Sequence, residues 1–192
     1  MRIGVLGGSF NPPTKAHIEL SNKCVEMGLC DKVIWVPVND AYKKSTNVPQ
    51  KIRADMVEIA LRDEKNIDYS LHEMEFDRIV RTHESLSILQ SRYPDDELLF
   101  IAGADKICFK WMQKEDFIKE FGYILVNRGD IDCESVVDSS PVLYRYRDKI
   151  KYLEYSSNVS STAVRNEMFI RKISEDVKPA VLAYMLNSGL FS

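Results

Sequence analysis

The sequence predicts an α/β protein, a Rossmann-like doubly wound parallel sheet of about five to six strands with a C-terminal helical portion over about 160–192. Three observations carry that prediction. Short continuous apolar runs (Ile3-Gly4-Val5-Leu6, Lys32 to Val38, Leu98 to Ala102, Tyr123 to Val126) alternate with stretches of helical periodicity. Runs apolar on every residue suit strands covered on both faces, as in a parallel sheet. The first run leads directly into Gly7-Gly8-Ser9-Phe10-Asn11-Pro12-Pro13-Thr14-Lys15-Ala16-His17, a glycine turn that opens a helix at Thr14.

A strand that delivers glycines to a helix N-terminus is an anion site, because the first N–H groups of the helix lack partners and its dipole turns positive there. His17 falls one turn inside, and the spacing directs Thr14 and His17 toward one ligand. The plain alternative is an ordinary strand-to-helix turn with a surface histidine. The dinucleotide fingerprint G-x-G-x-x-G is absent, since Ser9 to Pro13 intervene where its third glycine belongs.

The first helix repeats Leu20, Cys24 and Met27 at helical spacing and closes at Gly28. A buried strand over Lys32–Val38 follows. The polar loop from Asn39 to Asn47 carries Lys43 and Lys44, and Pro49 introduces a helix through Arg53, Met56, Val57, Ala60 and Leu61. Ile67 to His72 alternates as a half-buried strand, which makes His72 an outward residue. Thr82 reads as the N-cap of a helix with Glu84 in its first turn, ended by Pro94. The strand Leu98–Ala102 runs into Gly103-Ala104-Asp105, and helical or irregular segments around Trp111 and Phe117 precede the strand that ends at Asn127-Arg128-Gly129. The stretch from Asp130 to Arg147 carries no readable pattern. A last short strand over Lys151–Tyr155 leads to Ser160-Ser161-Thr162-Ala163-Val164-Arg165, a second helix start rich in hydroxyls, for which simple capping is the plain reading. Val181 to Leu186 form a closing amphipathic helix stopped at Asn187 to Gly189.

A length of 192 residues fits a single domain over residues 1–192 with a substantial core. The net charge of −3 and pI near 5.7 argue against a protein that holds long nucleic acid by bulk electrostatics. Any phosphate is held by a few placed groups. Cys24, Cys30, Cys108 and Cys133 form no C-x-x-C pair and the three histidines are scattered, which speaks against a zinc site and for a reduced, cytoplasmic setting. No apolar stretch approaches the ~20 residues of a membrane span, and the N-terminus lacks a signal-peptide core.

Together these segments resemble the nicotinamide and nicotinate mononucleotide adenylyltransferases over nearly the whole chain. The resemblance rests on Gly8-Ser9-Phe10-Asn11-Pro12 with Thr14 and His17, Val38-Asn39-Asp40-Ala41-Tyr42-Lys43-Lys44, Gly103-Ala104-Asp105, Asn127-Arg128-Gly129, the Ser160-Ser161-Thr162-x-x-Arg165 motif and the closing Val181 to Phe191 stretch. The last motif separates this family from the phosphopantetheine adenylyltransferases.

The resemblance implies an enzyme that joins ATP and a pyridine mononucleotide with release of pyrophosphate, in NAD biosynthesis. Mg²⁺ would arrive on the ATP phosphates, with no protein metal site. His17, Thr14, Lys44 and Arg165 are the implied catalytic residues. Gly8, Ser9, Phe10, Gly103, Asp105, Ser161, Thr162 and Arg165 would bind ATP; Asn39, Lys43, Thr82, Trp111 and Arg128 would bind the mononucleotide. Either Lys43 or Lys44 would reach a phosphate. ATP and the mononucleotide are the expected partners, with no nucleic acid or membrane, and a homo-oligomer is left open. Thr14 and Ala16 depart from the commonest bacterial pattern of histidine and glycine at those places. No lysine or arginine stands out as dedicated to a nicotinate carboxylate, so the expected discrimination between the two mononucleotides is below about 100-fold. Transfer to another acceptor such as phosphopantetheine, or a non-catalytic nucleotide-binding module, are the alternatives.

Overall fold

In the computed structural model the described residues are 1–42, 48–107, 112, 114–127, 132–171 and 174–189. They form a six-stranded sheet in the order β3-β2-β1-β4-β5-β6, parallel throughout. The strands are β1 (Arg2–Gly8), β2 (Lys32–Pro37), β3 (Ile67–Tyr69), β4 (Glu97–Gly103), β5 (Gly122–Asn127) and β6 (Ile150–Glu154). The order turns around at β1 and β4, and ligands of such sheets bind beyond the carboxyl ends of the strands at that crevice.

Both faces of the sheet are covered, as the unbroken apolar runs require. Ile3, Val5, Ile34, Val36 and Leu98 pack against Leu86 and Leu89 of α3 (Thr82–Arg92) and Phe117 of α5 (Glu115–Glu120). Leu6, Val33, Trp35, Leu99 and Ile101 face the other way, toward Ile18, Leu20 and Cys24 of α1 (Lys15–Glu26) and Val57 and Leu61 of α2 (Gln50–Leu61). A third cluster joins Met56 and Ala60 of α2 to Val164 and Met168 of α8 (Ser161–Arg171) and Val181 and Met185 of α9 (Pro179–Asn187). This cluster fixes the C-terminal helices beside the N-terminal turn. At the start of β5 a Cβ on Gly122 would stand 2.6 Å from the Lys149 carbonyl oxygen, so only glycine allows β6 its approach.

Two expectations are corrected. The alternating run ends as a strand at Tyr69, and the chain turns into a 3₁₀ turn (His72–Glu75) that buries His72 instead of turning it outward. Arg81, not Thr82, holds the N-cap position of α3, and Thr82 is its first helical residue. The unreadable stretch contains two short helices, α6 (Cys133–Ser139) and α7 (Pro141–Arg145), capped by the Asp132 and Ser140 side chains. The short α4 (Ala104–Ile107) follows β4 at once.

Candidate nucleotide site at the carboxyl ends of the central strands

The glycine turn is built around one aromatic cluster. Phe10 adopts φ 47°, a left-handed conformation that costs a non-glycine residue about 1–2 kcal/mol. Burial of its ring holds it there: the ring stacks on Trp35 at 4.6 Å and 10° and lies 5.2 Å from the His17 ring. Trp35 is itself anchored to α1, its Nε1–H donating to Ser21 Oγ at 2.8 Å, while the Ser21 hydroxyl donates to the His17 carbonyl at 2.8 Å. The Phe10 ring is therefore taken up by this packing.

Thr14 is the N-cap of α1 and His17 its third residue, and the two form a reciprocal capping box in which histidine takes the place usually held by glutamate or glutamine. The Thr14 backbone N–H donates to His17 Nδ1 at 3.0 Å, and Thr14 Oγ1 lies 2.6 Å from the same nitrogen. A backbone N–H is always a donor, so Nδ1 is an acceptor and the ring proton sits on Nε2. That tautomer presents an N–H donor. Thr14 is 1% exposed, and its contacts with Nδ1 orient the ring.

The second helix start meets the first motif across the fold. Ser161 Oγ donates to the Pro12 carbonyl at 2.8 Å, and Arg165 donates through Nη1 to the Asn11 carbonyl at 2.5 Å and through Nη2 to Thr162 Oγ1 at 3.0 Å. Ser160 Oγ accepts from the Ala163 N–H at 3.1 Å, so Ser160 supplies the cap and Ser161 and Thr162 make other bonds. Between α1 and α8 lies a groove of about 240 Å³, lined by Thr14, Ala16, His17, Leu20, Tyr155 and residues 157–161.

On the opposite side of Gly7-Gly8 a cleft of about 330 Å³ is walled by Val5, Val36, Val38, Val80, Leu86 and Phe100, with Ser9, Tyr42, Glu73, Thr82, Ser85 and Lys106 as its polar residues. It continues through Tyr42, Val80 and Thr82 into an outer pocket of about 720 Å³ that reaches His83, Lys114 and Phe117. A Cβ on Gly7 or Gly8 would come no closer than 3.8 or 3.4 Å to the protein's own Phe100 and Phe10 side chains, which is ordinary contact. Packing alone does not demand glycine there; a methyl would intrude on the cleft.

Two buried residues hold this arrangement, and the sequence reading gave neither that role. Arg53, fully buried in α2, donates through Nη1 to the Ser9 carbonyl at 2.9 Å, through Nε to the Val48 carbonyl at 3.2 Å and through Nη2 to Asp40 Oδ1 at 3.0 Å. It ties the glycine turn to Asp40 and Val48, on either side of residues 43–47 in the chain. The signal was present, since a charged residue stood on the apolar face of a predicted helix. Asn39 is 1% exposed and its Nδ2 donates to the carbonyls of Glu73, Phe76 and Arg78 at 2.9, 2.9 and 2.7 Å. Its amide nitrogen is committed to the turn beneath the cleft.

The same turn carries two shifted groups. Burial holds the His72 imidazole down at about 4, between Ser70 Oγ at 2.9 Å from Nδ1 and Ser85 Oγ at 2.8 Å from Nε2. Burial pushes the Glu73 carboxyl up to about 7 against a hydrogen bond from Ser85.

Of the expected site residues, Gly8, Ser9, Phe10, Thr14, His17, Ser161, Thr162 and Arg165 gather around the Asn11–Pro13 turn, and Thr82 lines the cleft beyond it. Gly103 ends β4 and Asp105 falls in α4. Lys43, Lys44, Trp111 and Arg128 lie outside the described residues.

A parallel sheet with two helix N-termini converging on a glycine turn defines a nucleotide-binding α/β protein, and the chain belongs to the cytidylyltransferase-like family, whose profile matches residues 5–167. Within that class it belongs with the nicotinate and nicotinamide mononucleotide adenylyltransferases. It is 30% identical over 174 residues to a protein of Carboxydothermus hydrogenoformans named "Probable nicotinate-nucleotide adenylyltransferase", covering 87% of this chain and 86% of that one. It is 27% identical over 200 residues to the nicotinate-nucleotide adenylyltransferase of Bacillus subtilis, covering 99% of this chain and 98% of the relative. The fold is shared with the Plasmodium falciparum nicotinic acid mononucleotide adenylyltransferase solved with NaAD, at a TM-score of 0.75 and 20% identity over 99% of this chain and 97% of that one.

Proposed function

We propose that the chain transfers the adenylyl group of ATP to nicotinate mononucleotide, making the dinucleotide and pyrophosphate in NAD biosynthesis. An oxygen of the mononucleotide 5′-phosphate attacks the α-phosphorus of ATP, the bond to the β-phosphate bridging oxygen breaks, and that oxygen leaves with pyrophosphate. No protein nucleophile is required. The protein's part is positioning and the supply of donors to oxygens that gain charge.

One observation carries the reading. The His17 ring is locked by Thr14 in the tautomer that donates from Nε2, at a turn gripped from the other side by Ser161 and Arg165. In this reading His17 donates to the reacting phosphate, the backbone of Gly8 to Phe10 and the start of α8 hold the ATP phosphates, and Arg165 adds a charge-assisted contact. The groove beside Ala16 receives the adenosine part, with Gly103 and Asp105 as further contacts. The apolar cleft and its outer pocket receive the mononucleotide, with Thr82 at its wall. Lys43 or Lys44, Trp111 and Arg128 complete the proposal from sequence. The choice of nicotinate follows the names of the relatives and the NaAD bound in the Plasmodium falciparum protein.

Mg²⁺ would arrive on the ATP phosphates and neutralise part of their charge. At the turn His17 Nε2–H and the Arg165 guanidinium are donors that suit phosphate oxygens. The cytoplasmic setting is proposed on the buried thiols of Cys24 and Cys30.

Pyrophosphate release from Mg–ATP with a panel of acceptors tests the reading. Release is expected with nicotinate mononucleotide, and release only with phosphopantetheine, or with no acceptor, would contradict it.

A further inference from the structure

The cleft assigned to the mononucleotide is apolar except for a few groups, and one is a carboxyl that the reaction does not call for. Glu73 is 7% exposed yet lines the cleft with Gly7, Gly8 and Ser9. It stands at the end of a buried chain of hydrogen bonds that runs from Arg92 through Ser70, His72 and Ser85. Arg92 Nη1 can only donate, and it donates to Ser70 Oγ at 3.1 Å. Ser70 Oγ lies 2.9 Å from His72 Nδ1, His72 Nε2 lies 2.8 Å from Ser85 Oγ, and the Ser85 side chain hydrogen-bonds the Glu73 carboxyl. A buried acid held this way in an apolar wall acts on whatever charge enters beside it.

We propose that Glu73 sets the preference between the charged and the neutral pyridine mononucleotide, because its carboxylate repels a nicotinate carboxylate in the shared cleft and leaves a nicotinamide group almost unaffected. The inference rests on the reading of this cleft as the mononucleotide site. The surrounding charges define the balance. From α3, Glu84 adds a like charge that is held by Arg78 at 2.9 and 2.5 Å. From α4, Lys106 lines the same cleft with the opposite charge. Within the turn His72 is neutral and Glu75 pairs with Arg92 at 3.6 Å; after β2, Asp40 is paired with Arg53. Burial raises the Glu73 carboxyl to about 7, so its charge changes across the neutral range.

The magnitude follows from Coulomb's law. Two unit charges about 6–8 Å apart at an effective dielectric of roughly 20–40 interact strongly enough to change affinity about 10- to 100-fold. With half-ionisation near neutrality, that coupling lowers kcat/KM for nicotinate mononucleotide roughly 5- to 10-fold between pH 6 and pH 8. The nicotinamide form should change less than about twofold from this cause. Both substrates carry the same titrating 5′-phosphate, and the ratio of their kcat/KM values removes it.

The experiment is that ratio from pH 5.5 to 8.5, together with calorimetric binding of each mononucleotide, for the parent and Glu73→Gln. The parent ratio should move toward nicotinamide as pH rises, and Glu73→Gln should flatten it. A flat parent ratio, or the same slope in Glu73→Gln, overturns the proposal while leaving the adenylyltransferase reading intact. Absence of both turnover and binding with either mononucleotide overturns both. Should Glu73→Gln fail to fold, Ser85→Ala supplies the test: loss of its hydrogen bond to the carboxylate should move the midpoint of the ratio to higher pH, and an unmoved midpoint counts against the role of Glu73.

Discussion

Replacing His17 with alanine separates its two roles, one in the fold and one in the chemistry. In the fold, the change removes the reciprocal bond from the Thr14 N–H and the ring contacts with Phe10 at 5.2 Å and Trp35 at 5.8 Å. Losing a cap costs about 0.5–2 kcal/mol and an aromatic contact about 0.5–1.5 kcal/mol, so the expected destabilisation is about 1–3 kcal/mol. In a chain of this size that lowers Tm by roughly 3–10 °C. In the chemistry, the loss of one donor at a developing negative charge lowers turnover by roughly 10²- to 10³-fold. Thermal unfolding and pyrophosphate release at saturating Mg–ATP, measured on one preparation, read the two effects apart. Thr14→Ala is the companion: the backbone N–H still fixes Nδ1 as acceptor, so its loss of turnover should stay near tenfold or below. Near-parental turnover in folded His17→Ala refutes the donor role, and a Thr14→Ala loss as deep as that of His17→Ala would move the chemistry to the hydroxyl.

Arg165→Lys should raise the KM for ATP clearly though charge is kept, because an ammonium cannot hold the Asn11 carbonyl, Thr162 Oγ1 and a phosphate as a planar fork does; an unchanged dependence on ATP concentration would leave Arg165 a structural clamp. Gly8→Ala should keep the parental Tm, since the nearest protein atoms to its Cβ are at 3.4 Å, yet cut kcat/KM by about tenfold or more; full activity would show that no ligand approaches Gly8. Stability should also titrate at Glu73. Its folded value of about 7 lies above the unfolded 4.5, so the unfolded chain releases a proton that the native chain keeps, and this contribution is lost as pH rises from 4.5 through 7. The stability of Glu73→Gln relative to the parent should therefore climb by roughly 3 kcal/mol over that range, and a difference independent of pH would contradict the burial of the acid.

The sheet was legible because parallel strands covered on both faces must be apolar on every residue, and the runs in β1, β2, β4 and β5 say so directly. The glycine turn and the Ser-Ser-Thr start were legible as local backbone features. What joins them was not: the bonds of Ser161 to Pro12 and Arg165 to Asn11 span 149 and 154 positions, and no local pattern encodes them. His72 was misread because alternation persists past Tyr69, whereas pairing with β2 covers only Val33 to Trp35 and the chain then turns inward. The helices α6 and α7 are too short to show periodicity, although Asp132 and Ser140 before them are cap residues. Asn39, Arg53 and Glu73 owe their roles to burial, which a polar residue in a sequence does not announce. Arg53 came nearest to legibility, as the charged member of the apolar stripe of α2.

The central claim is direct transfer to the mononucleotide phosphate, and ATP labelled at the α-phosphorus tests it most directly. In a quenched single turnover with nicotinate mononucleotide, label should leave ATP and appear in the dinucleotide in equal amount to the pyrophosphate released, with none on the denatured protein. Label retained on the protein, or pyrophosphate released without labelled dinucleotide, would contradict the account.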